Sequence, residues 1–240
     1  MSSTNSVSSI GSAPDASLAG GNITNSPRLA EKSIELTACA QIALALRRKM
    51  VWFGLTQAQE RAYGFDAATE LGGTAFILQF KTSSTVIKRG SFAGQRKFQC
   101  QHQQMAELVK RFGTMPESCF YFLPSIGTFE ELQNVSGDLL DNSFLLDVAD
   151  LPNPVPPSNR TSDYHYLYLD DKTPAIDITS KPFSPKQVLR LRDFIEKTSS
   201  VKDKSHIETG HLKRLTNEYL KMEPKLADLF FKNAALVVVL

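Results

Sequence analysis

The stretch from residue 64 to residue 81, GFDAATELGGTAFILQFK, consists of two apolar-rich segments on either side of a glycine pair. A Gly-Gly pair favours a two-residue hairpin turn, because both central residues can adopt positive φ without steric cost. If Gly72 and Gly73 form the loop, Leu71 pairs with Thr74. The pattern therefore predicts a β-hairpin in this part of the chain.

The two faces of the predicted hairpin differ in character. Successive strand side chains point to opposite faces, so Asp66 lies opposite Gln79, and Lys81 follows on the same face. Opposed Cβ atoms lie about 5 Å apart, which brings an acid, an amide and an amine within reach of one another. We expect the other face to be the core, and it comprises Phe65, Ala67, Leu71, Phe76, Leu78 and Phe80.

Helical periodicity precedes the hairpin. Residues 29–49 place apolar side chains on one stripe, and residues 56–63 predict a short capped helix that ends at Gly64. The pattern indicates no strand between the first helix and Gly64. Residues 1–28 are rich in Ser, Asn, Gly and Ala, and we expect this tail to be disordered because it cannot bury enough apolar surface.

The segments after the hairpin predict further α/β structure. Residues 82–97 are polar and basic, which indicates a loop, and residues 98–112 have the pattern of a helix ended by Gly113. Residues 119–123, CFYFL, are typical of a buried strand, and we expect this strand beside the second arm of the hairpin. Residues 130–150 are ambiguous.

A Pro-rich connector at 151–160 leads into the C-terminal part. Here the pattern predicts strands at 164–169 and 175–179, a helix capped by Ser184, and another helix at 207–222. The terminal AALVVVL predicts a strand added to the sheet or a surface for a partner chain. We divide the chain into a disordered tail (1–28), an α/β core (29–150) and an α+β extension packed on it (151–240).

Charge is unevenly distributed, although the formal net charge is only +2. Residues 81–111 are basic and residues 127–180 are acidic. The basic segment includes Lys88, Arg89, Arg96 and Lys97, which could contact a nucleic-acid phosphate backbone or form an ordinary solvated loop and helix face.

Other sequence features exclude several functional classes. There is no P-loop, dinucleotide fingerprint, nucleophile elbow or paired CxxC motif, which argues against a nucleotide motor, a dehydrogenase and a serine hydrolase. The three cysteines are widely spaced and predict reduced core residues. We see no signal peptide and no apolar run of membrane-spanning length, so we expect a cytoplasmic protein without a membrane partner.

Carboxylate and amide oxygens suit a hard divalent cation such as Mg²⁺. A metal-bound water has a lowered pKa, and a nearby lysine can orient it or stabilise charge on a phosphate oxygen. Asp66, Gln79 and Lys81 thus indicate phosphodiester hydrolysis. The alternative is an ordinary surface ion pair between Asp66 and Lys81, with Gln79 uninvolved.

An aspartate, a hairpin and then Gln79-Phe80-Lys81 resemble the PD-(D/E)xK, or restriction-endonuclease-like, nuclease superfamily. The branch with glutamine in place of the second acid, as in type IV methyl-directed restriction enzymes, is the most similar. The resemblance covers residues 30–124 and includes a helix carrying a glutamate before the hairpin and a helix and strand after it. It implies an α/β fold with a mixed central sheet flanked by helices.

The resemblance also implies the roles of the site residues. Asp66, Gln79 and the backbone carbonyl of Phe80 would hold Mg²⁺ or Mn²⁺, and Lys81 would serve the attacking water. Because glutamine is neutral, a further carboxylate should contribute. Glu35 is preferred for its deeper place in the first helix, and the further candidates near the site are Glu31, Glu60, His102 and Gln103.

The predicted function is metal-dependent cleavage of DNA, with defence against foreign DNA inferred by analogy, and with a homodimer or a partner subunit as further partners. One alternative is a catalytically inactive module of this fold that binds nucleic acid or protein. Another is an interaction protein that uses the acidic stretch or the terminal valines and has no affinity for DNA.

Overall fold

The computed structural model describes residues 26–47, 50–71, 74–83, 86–157, 163–172, 175–178, 186–199 and 235–239. Residues 1–25 of the predicted tail, the two hairpin glycines, Ser184 and the helix predicted at 207–222 lie outside these ranges. In chain order the elements are α1 (Glu31–Leu46), β1 (Met50–Gly54), α2 (Gln57–Tyr63), β2 (Ala67–Leu71), β3 (Thr74–Phe80), β4 (Arg96–Gln101), α3 (His102–Phe112), β5 (Cys119–Pro124), α4 (Phe129–Asn134), β6 (Ser143–Asp147), β7 (Tyr164–Asp170), β8 (Ala175–Ile178), β9 (Lys186–Gln187), β10 (Leu189–Arg190), α5 (Leu191–Ser199) and β11 (Ala235–Val239).

The described strands form two sheets. The larger has the order β10-β6-β5-β3-β2-β1-β11, and the smaller has the order β4-β7-β8-β9. In the larger sheet β3 and β5 run parallel, and the other neighbours are antiparallel. The molecule is therefore a mixed α/β protein with helices packed on its central sheet, as predicted at that level. Strands from either side of residue 150 contribute to both sheets.

The predicted register of the hairpin is confirmed. Leu71 pairs with Thr74, and the pairing continues to Ala67 with Leu78. The expected neighbour is also present, since β5 pairs with β3 in parallel from Cys119 onward. The hairpin is thus a central element of the sheet, with β1 on one side and β5 on the other.

Both faces of the hairpin are buried, whereas the pattern predicts one. Ala67, Leu78 and Phe80 pack in a cluster with α1 and α5. Ala68 and Ile77, on the other face, pack with α3 and the inner face of the small sheet. Phe65 belongs to this second cluster rather than to that of Phe80, because the strand alternation starts only at Ala67.

Five of the described strands were not predicted, namely β1, β4, β6, β9 and β10. The residues of β1, MVWFG, do not alternate between polar and apolar side chains, so the sequence gives no strand signal there. In the structure β1 lies between β2 and β11, and most of its residues are buried. β4 occupies residues expected to begin the following helix, so α3 starts at His102. In β4 the inward Phe98 and Cys100 are fully buried and Gln99 and Gln101 are exposed, and this alternation is too short to exclude a helix from sequence alone.

The C-terminal elements differ partly from expectation. The strand at 164–169 is confirmed as β7, and β11 joins the large sheet by pairing with β1. α5 begins at Leu191, later than predicted, because β9 and β10 use the preceding residues for pairing with β8 and β6.

Residues 26–28 of the predicted disordered tail make specific contacts. Ser26 Oγ accepts a hydrogen bond from the Glu130 backbone N–H, and Arg28 forms an isolated bridge with Thr128. No helix in the described ranges is long and apolar enough to cross a membrane.

Gly64 places α2 against α3. As predicted, it ends α2 with a left-handed conformation, at φ 85°. A Cβ atom there would lie 3.0 Å from Leu108 Cγ and 3.2 Å from the Gln104 carbonyl oxygen. The absence of a side chain therefore allows α3 to approach the end of α2 closely.

We expect Gly64→Ala to lower the unfolding free energy more than Gly94→Ala does. Gly94 has a similar φ of 89° but open space around it, so its substitution costs only about 1–2 kcal/mol of backbone strain. Gly64→Ala adds crowding, which costs about 1 kcal/mol or more. Urea denaturation of both variants measures the difference. Equal losses would contradict the tight packing of α3 on α2.

Candidate functional site

Asp66 and Gln79 are in direct contact at the open end of the hairpin. Gln79 Nε2 donates a hydrogen bond to Asp66 Oδ2 at 2.6 Å, and the Phe80 backbone N–H donates to the same oxygen at 2.6 Å. The Asp66 backbone is fixed on both sides, since its N–H donates to Leu78 and its carbonyl accepts from Leu55. The main chain of two neighbouring elements thus sets the position of this carboxyl group.

A chain of hydrogen bonds connects Asp66 to Lys81 through two glutamines. Lys81 Nζ donates to Gln104 Oε1 at 3.1 Å, and Gln104 Nε2 donates to Gln79 Oε1 at 3.0 Å. Gln79 then donates to Asp66. The acid, the amide and the amine therefore meet on one side of the hairpin, joined by a residue of α3.

Sequence reasoning missed Gln104. It points to His102 and Gln103 on the same helix, because the sequence pattern starts the helix four residues too early and does not resolve its faces. The available signal was the buried Leu108, which lies one turn after Gln104 on the same helix face.

Asp66, Gln79 and Lys81 are nearly inaccessible, with relative exposures of 4%, 0% and 8%. Burial raises the pKa of Asp66 to about 8, and Glu31 and Glu60 add to the rise, whereas Lys81 and the Phe80 N–H oppose it. A large part of the Asp66 population is therefore protonated at neutral pH.

The three candidate glutamates occupy different places. Glu35, the preferred candidate, is buried on α1, and its carboxylate pairs with Lys32 Nζ at 2.7 Å. Glu31 and Glu60 line the cavity next to Lys81 and act electrostatically on Asp66. The structure thus brings Glu31 and Glu60 toward the site and engages Glu35 with a neighbour on its own helix.

His102 and Gln103 point to different parts of the structure. Gln103 lines the cavity. His102 faces the small sheet, where its Nδ1 lies 2.8 Å from His165 Nε2. Burial and the neighbouring His102 lower the pKa of His165. This pair joins α3 to β7.

The four residues predicted to contact phosphate differ in their exposure and in their contacts. Lys88 and Arg89 are exposed in the loop before β4. Arg96 is buried and forms two hydrogen bonds with Glu131 on α4, so it serves to connect β4 with α4. Lys97 lines the cavity, with its Nζ 3.7 Å from the centre of the Tyr166 ring. Strand alternation separates Arg96 from Lys97.

A cavity of about 870 Å³ opens beside Lys81, between α2, β4 and the start of α3. Its polar lining combines cations, two carboxylates and several amides. The lining residues with these groups are Arg28, Glu31, Gln57, Glu60, Arg61, Lys81, Lys97, Gln99, Gln101, Gln103 and Gln104. The volume suits a ligand of the size of one or two nucleotides or a drug-sized molecule.

The donor groups at this end of the hairpin fit a hard divalent cation. Within the described ranges, no group of three His, Cys, Asp or Glu side chains could hold a metal. The oxygens at this position also include an amide and a main-chain carbonyl: besides the Asp66 carboxylate there are the Gln79 amide and the Phe80 carbonyl, which lies 3.2 Å from Gln79 Nε2. Half a turn of the Gln79 amide presents its oxygen beside Asp66, and it breaks the hydrogen bond that Gln79 Oε1 accepts from Gln104 Nε2.

Comparison with known proteins identifies no relative, since no protein-family model, no curated protein and no solved structure matches the chain. The site must therefore be interpreted from its own chemistry.

We expect Asp66→Asn to stabilise the protein increasingly as the pH rises from about 4 to 8. The folded carboxyl, with its pKa of about 8, keeps a proton that the unfolded chain, with its ordinary value of 3.8, has released. The wild type therefore loses unfolding free energy across this window, by a few kcal/mol, and the variant does not. Thermal denaturation at several pH values measures the difference.

Asp141→Asn is the control. The hydrogen bond from Arg192 lowers the pKa of Asp141, so its contribution to stability is lost only below the ordinary aspartate range, and the effect of the substitution should be constant from pH 5 to 8. A pH-independent effect of Asp66→Asn would show that the Asp66 carboxyl is ionised throughout.

Proposed function

We propose that this protein is a metal-dependent DNA endonuclease that hydrolyses phosphodiester bonds. The observation that carries the proposal is the convergence of Asp66, Gln79 and Lys81 through one hydrogen-bonded chain next to a polar cavity. An isolated surface ion pair does not account for this arrangement, because all three side chains are buried.

The order of elements supports a restriction-endonuclease-like core. α1 is followed by β1, α2, the strands β2 and β3, β4, α3 and β5; in the large sheet β1, β2 and β3 are antiparallel neighbours and β5 is parallel to β3. This arrangement is similar to that expected of the PD-(D/E)xK superfamily, and β1 supplies the strand that the sequence pattern lacked. The proposed membership rests on this topology and on the hairpin motif.

In this proposal the Asp66 carboxylate, the Gln79 amide oxygen and the Phe80 carbonyl oxygen hold Mg²⁺ or Mn²⁺. A bound cation of this kind supplies a water of lowered pKa and stabilises charge on the phosphate. Glu31 and Glu60, which act electrostatically on Asp66, replace Glu35 as the favoured additional carboxylates. They provide the negative charge that a neutral glutamine does not.

Lys81 is the residue proposed to orient the attacking water and to stabilise negative charge on the phosphate. Its Nζ is held by Gln104, which also fixes the Gln79 amide. Gln104 is therefore a positioning residue for Lys81, and its hydrogen bond to Gln79 Oε1 belongs to the cation-free orientation of that amide. A 3.1 Å hydrogen bond to a neutral acceptor fixes the ammonium while leaving two of its donors for a substrate.

The proposed biological context is defence against foreign DNA, and it follows only from the resemblance to restriction enzymes. A cytoplasmic location is consistent with three buried cysteines that form no disulfide. Assembly as a homodimer or with a partner subunit would suit a nuclease that has no motor of its own.

One observation favours a second candidate, a catalytically inactive module that binds nucleic acid. Gln79 points its Nε2 at Asp66, and burial holds the pKa of that carboxyl at about 8. Both features weaken the attraction for a cation. Such a module would use the same cavity for binding and perform no hydrolysis.

We expect the wild type to nick or linearise plasmid DNA with Mg²⁺ or Mn²⁺, and Asp66→Asn and Lys81→Met to reduce the rate about 100-fold or more. Lys110→Met is the matched control, since Lys110 is exposed on α3, and it should leave the rate unchanged. Gel analysis of the plasmid forms measures the rate. No cutting by the wild type, together with salt-sensitive DNA binding, would identify the inactive module.

The cleavage rate should rise with pH toward a midpoint near 8 at low Mg²⁺, because Asp66 must lose its proton to bind a cation. Protons and cations compete for the same carboxylate, so raising Mg²⁺ about tenfold should shift the midpoint down by up to about one pH unit. Initial rates at several pH values and two metal concentrations test this. A midpoint that does not move with Mg²⁺ would assign the titration to another group.

A further inference from the structure

Three tyrosines lie on the outer face of the small sheet. Tyr164, Tyr166 and Tyr168 alternate along β7 with the buried His165, Leu167 and Leu169; Tyr164 and Tyr166 are half-buried, and Tyr168 is buried. In the register of the two strands the tyrosines lie opposite Gln101, Gln99 and Lys97 of β4, respectively. This outer face, which we call the tyrosine face, combines aromatic rings with amides and a cation.

One of the tyrosines already accepts a flat partner. The Phe92 ring stacks on Tyr168, with the ring centres 3.9 Å apart and an angle of 9° between the planes. Lys97 Nζ lies over the Tyr166 ring. The tyrosine face is therefore suited to parallel stacking and to holding a cation. A nucleotide offers a flat base for stacking, and its phosphate requires a cation.

The tyrosine face continues into the cavity of the proposed site. Tyr164, Gln99 and Gln101 line the same cavity as Lys81 and Gln104. The start of β7 is fixed there, because the His102 backbone N–H donates to the Asp163 carbonyl at 2.7 Å. Stacking and hydrogen-bonding groups thus line the same cavity as Lys81 and Gln104, the two residues at the cavity end of the hydrogen-bonded chain from Asp66.

We propose that the tyrosine face binds unpaired nucleotides of single-stranded DNA and leads the strand into the cavity. Tyr164 stacks on a base, Gln99 and Gln101 hydrogen-bond to base edges, and Lys97 attracts the backbone. The choice of DNA rests on the proposed nuclease function, and the surface itself would remain a binding site without that activity.

Two observations favour a single strand over a duplex. Stacking on Tyr164 requires an exposed base face, which paired bases within a duplex do not offer. The charge of the cavity wall is also mixed, with Glu31 and Glu60 among its cations, whereas duplex binding depends on neutralising many phosphates. Amide and aromatic groups therefore carry more of the recognition than charge does.

The test is fluorescence anisotropy with a labelled single-stranded DNA of mixed sequence, its duplex and the same sequence as RNA. All measurements use the full chain carrying Asp66→Asn, in EDTA, so that cleavage cannot contribute. We expect the single-stranded DNA to bind about tenfold or more tightly than the duplex. Tyr164→Ala should weaken its binding about tenfold, and Tyr164→Phe should retain it, because base–aromatic stacking is lost only in the first variant.

Gln101→Ala is a second variant at an exposed strand position, where folding should be preserved, and it should weaken binding about threefold or more. Equal or tighter binding of the duplex would overturn the proposal, as would unchanged affinity in both Tyr164→Ala and Gln101→Ala. Tighter binding of RNA would overturn the assignment to DNA.

These outcomes are separate from those of the nuclease test. Single-stranded binding without any Mg²⁺- or Mn²⁺-dependent cutting by the wild type would preserve the tyrosine face and refute the endonuclease. Metal-dependent cutting of plasmid DNA by the wild type, together with unchanged single-stranded DNA binding by both Tyr164→Ala and Gln101→Ala, would preserve the endonuclease and refute the tyrosine face.

Discussion

The hydrogen bond from the Phe80 main chain to the Asp66 side chain positions the buried carboxyl group around which the candidate site is arranged. It holds a carboxyl group in a place where water is almost excluded, and the two backbone hydrogen bonds of Asp66 fix the main chain from which the side chain extends. Leaving such a group ionised and unpaired would cost several kcal/mol. Two features lower this cost. Burial raises the pKa of Asp66 to about 8, which favours its neutral form at neutral pH, and the amides of Gln79 and Gln104 connect the carboxyl group to the Lys81 ammonium group.

The burial of the central sheet on both faces restricts this arrangement further. With α1 and α5 on one side and α3 and the small sheet on the other, polar groups can reach solvent only near the ends of the strands. Asp66 and Lys81 lie just outside β2 and β3, at the same end of the hairpin. The cavity is located at this end as well, between α2, β4 and the start of α3.

Local patterns predicted the hairpin register, the proximity of Asp66 and Gln79 and the place of β5 beside β3, because each depends on a turn or on a run of apolar residues. For the terminal segment they left open a strand in the sheet or a surface for a partner, and pairing with β1 shows the strand. β1 and β4 were not predicted, because a strand of five or six residues is stabilised mainly by pairing with neighbouring strands and carries little signal in its own sequence. Gln104 and Glu31 could not be preferred over Gln103 and Glu35 for a related reason. The choice depends on how two helices rotate against the sheet, and single-sequence periodicity does not define that rotation. The inward turn of Arg96 toward Glu131 is likewise a tertiary effect.

The pairing of β1 with β11 has a consequence for biosynthesis. Val239 pairs with Met50, so β1 leaves the ribosome long before its outer neighbour does. Until then the amide and carbonyl groups along that margin of the sheet have no strand to bind, and a nascent chain in this condition can associate with another copy or recruit a chaperone. Closing so long a loop is slow relative to the formation of the hairpin. The pairing of β1 with β11, at the edge of the large sheet, is therefore completed after the hairpin at the centre of that sheet has formed.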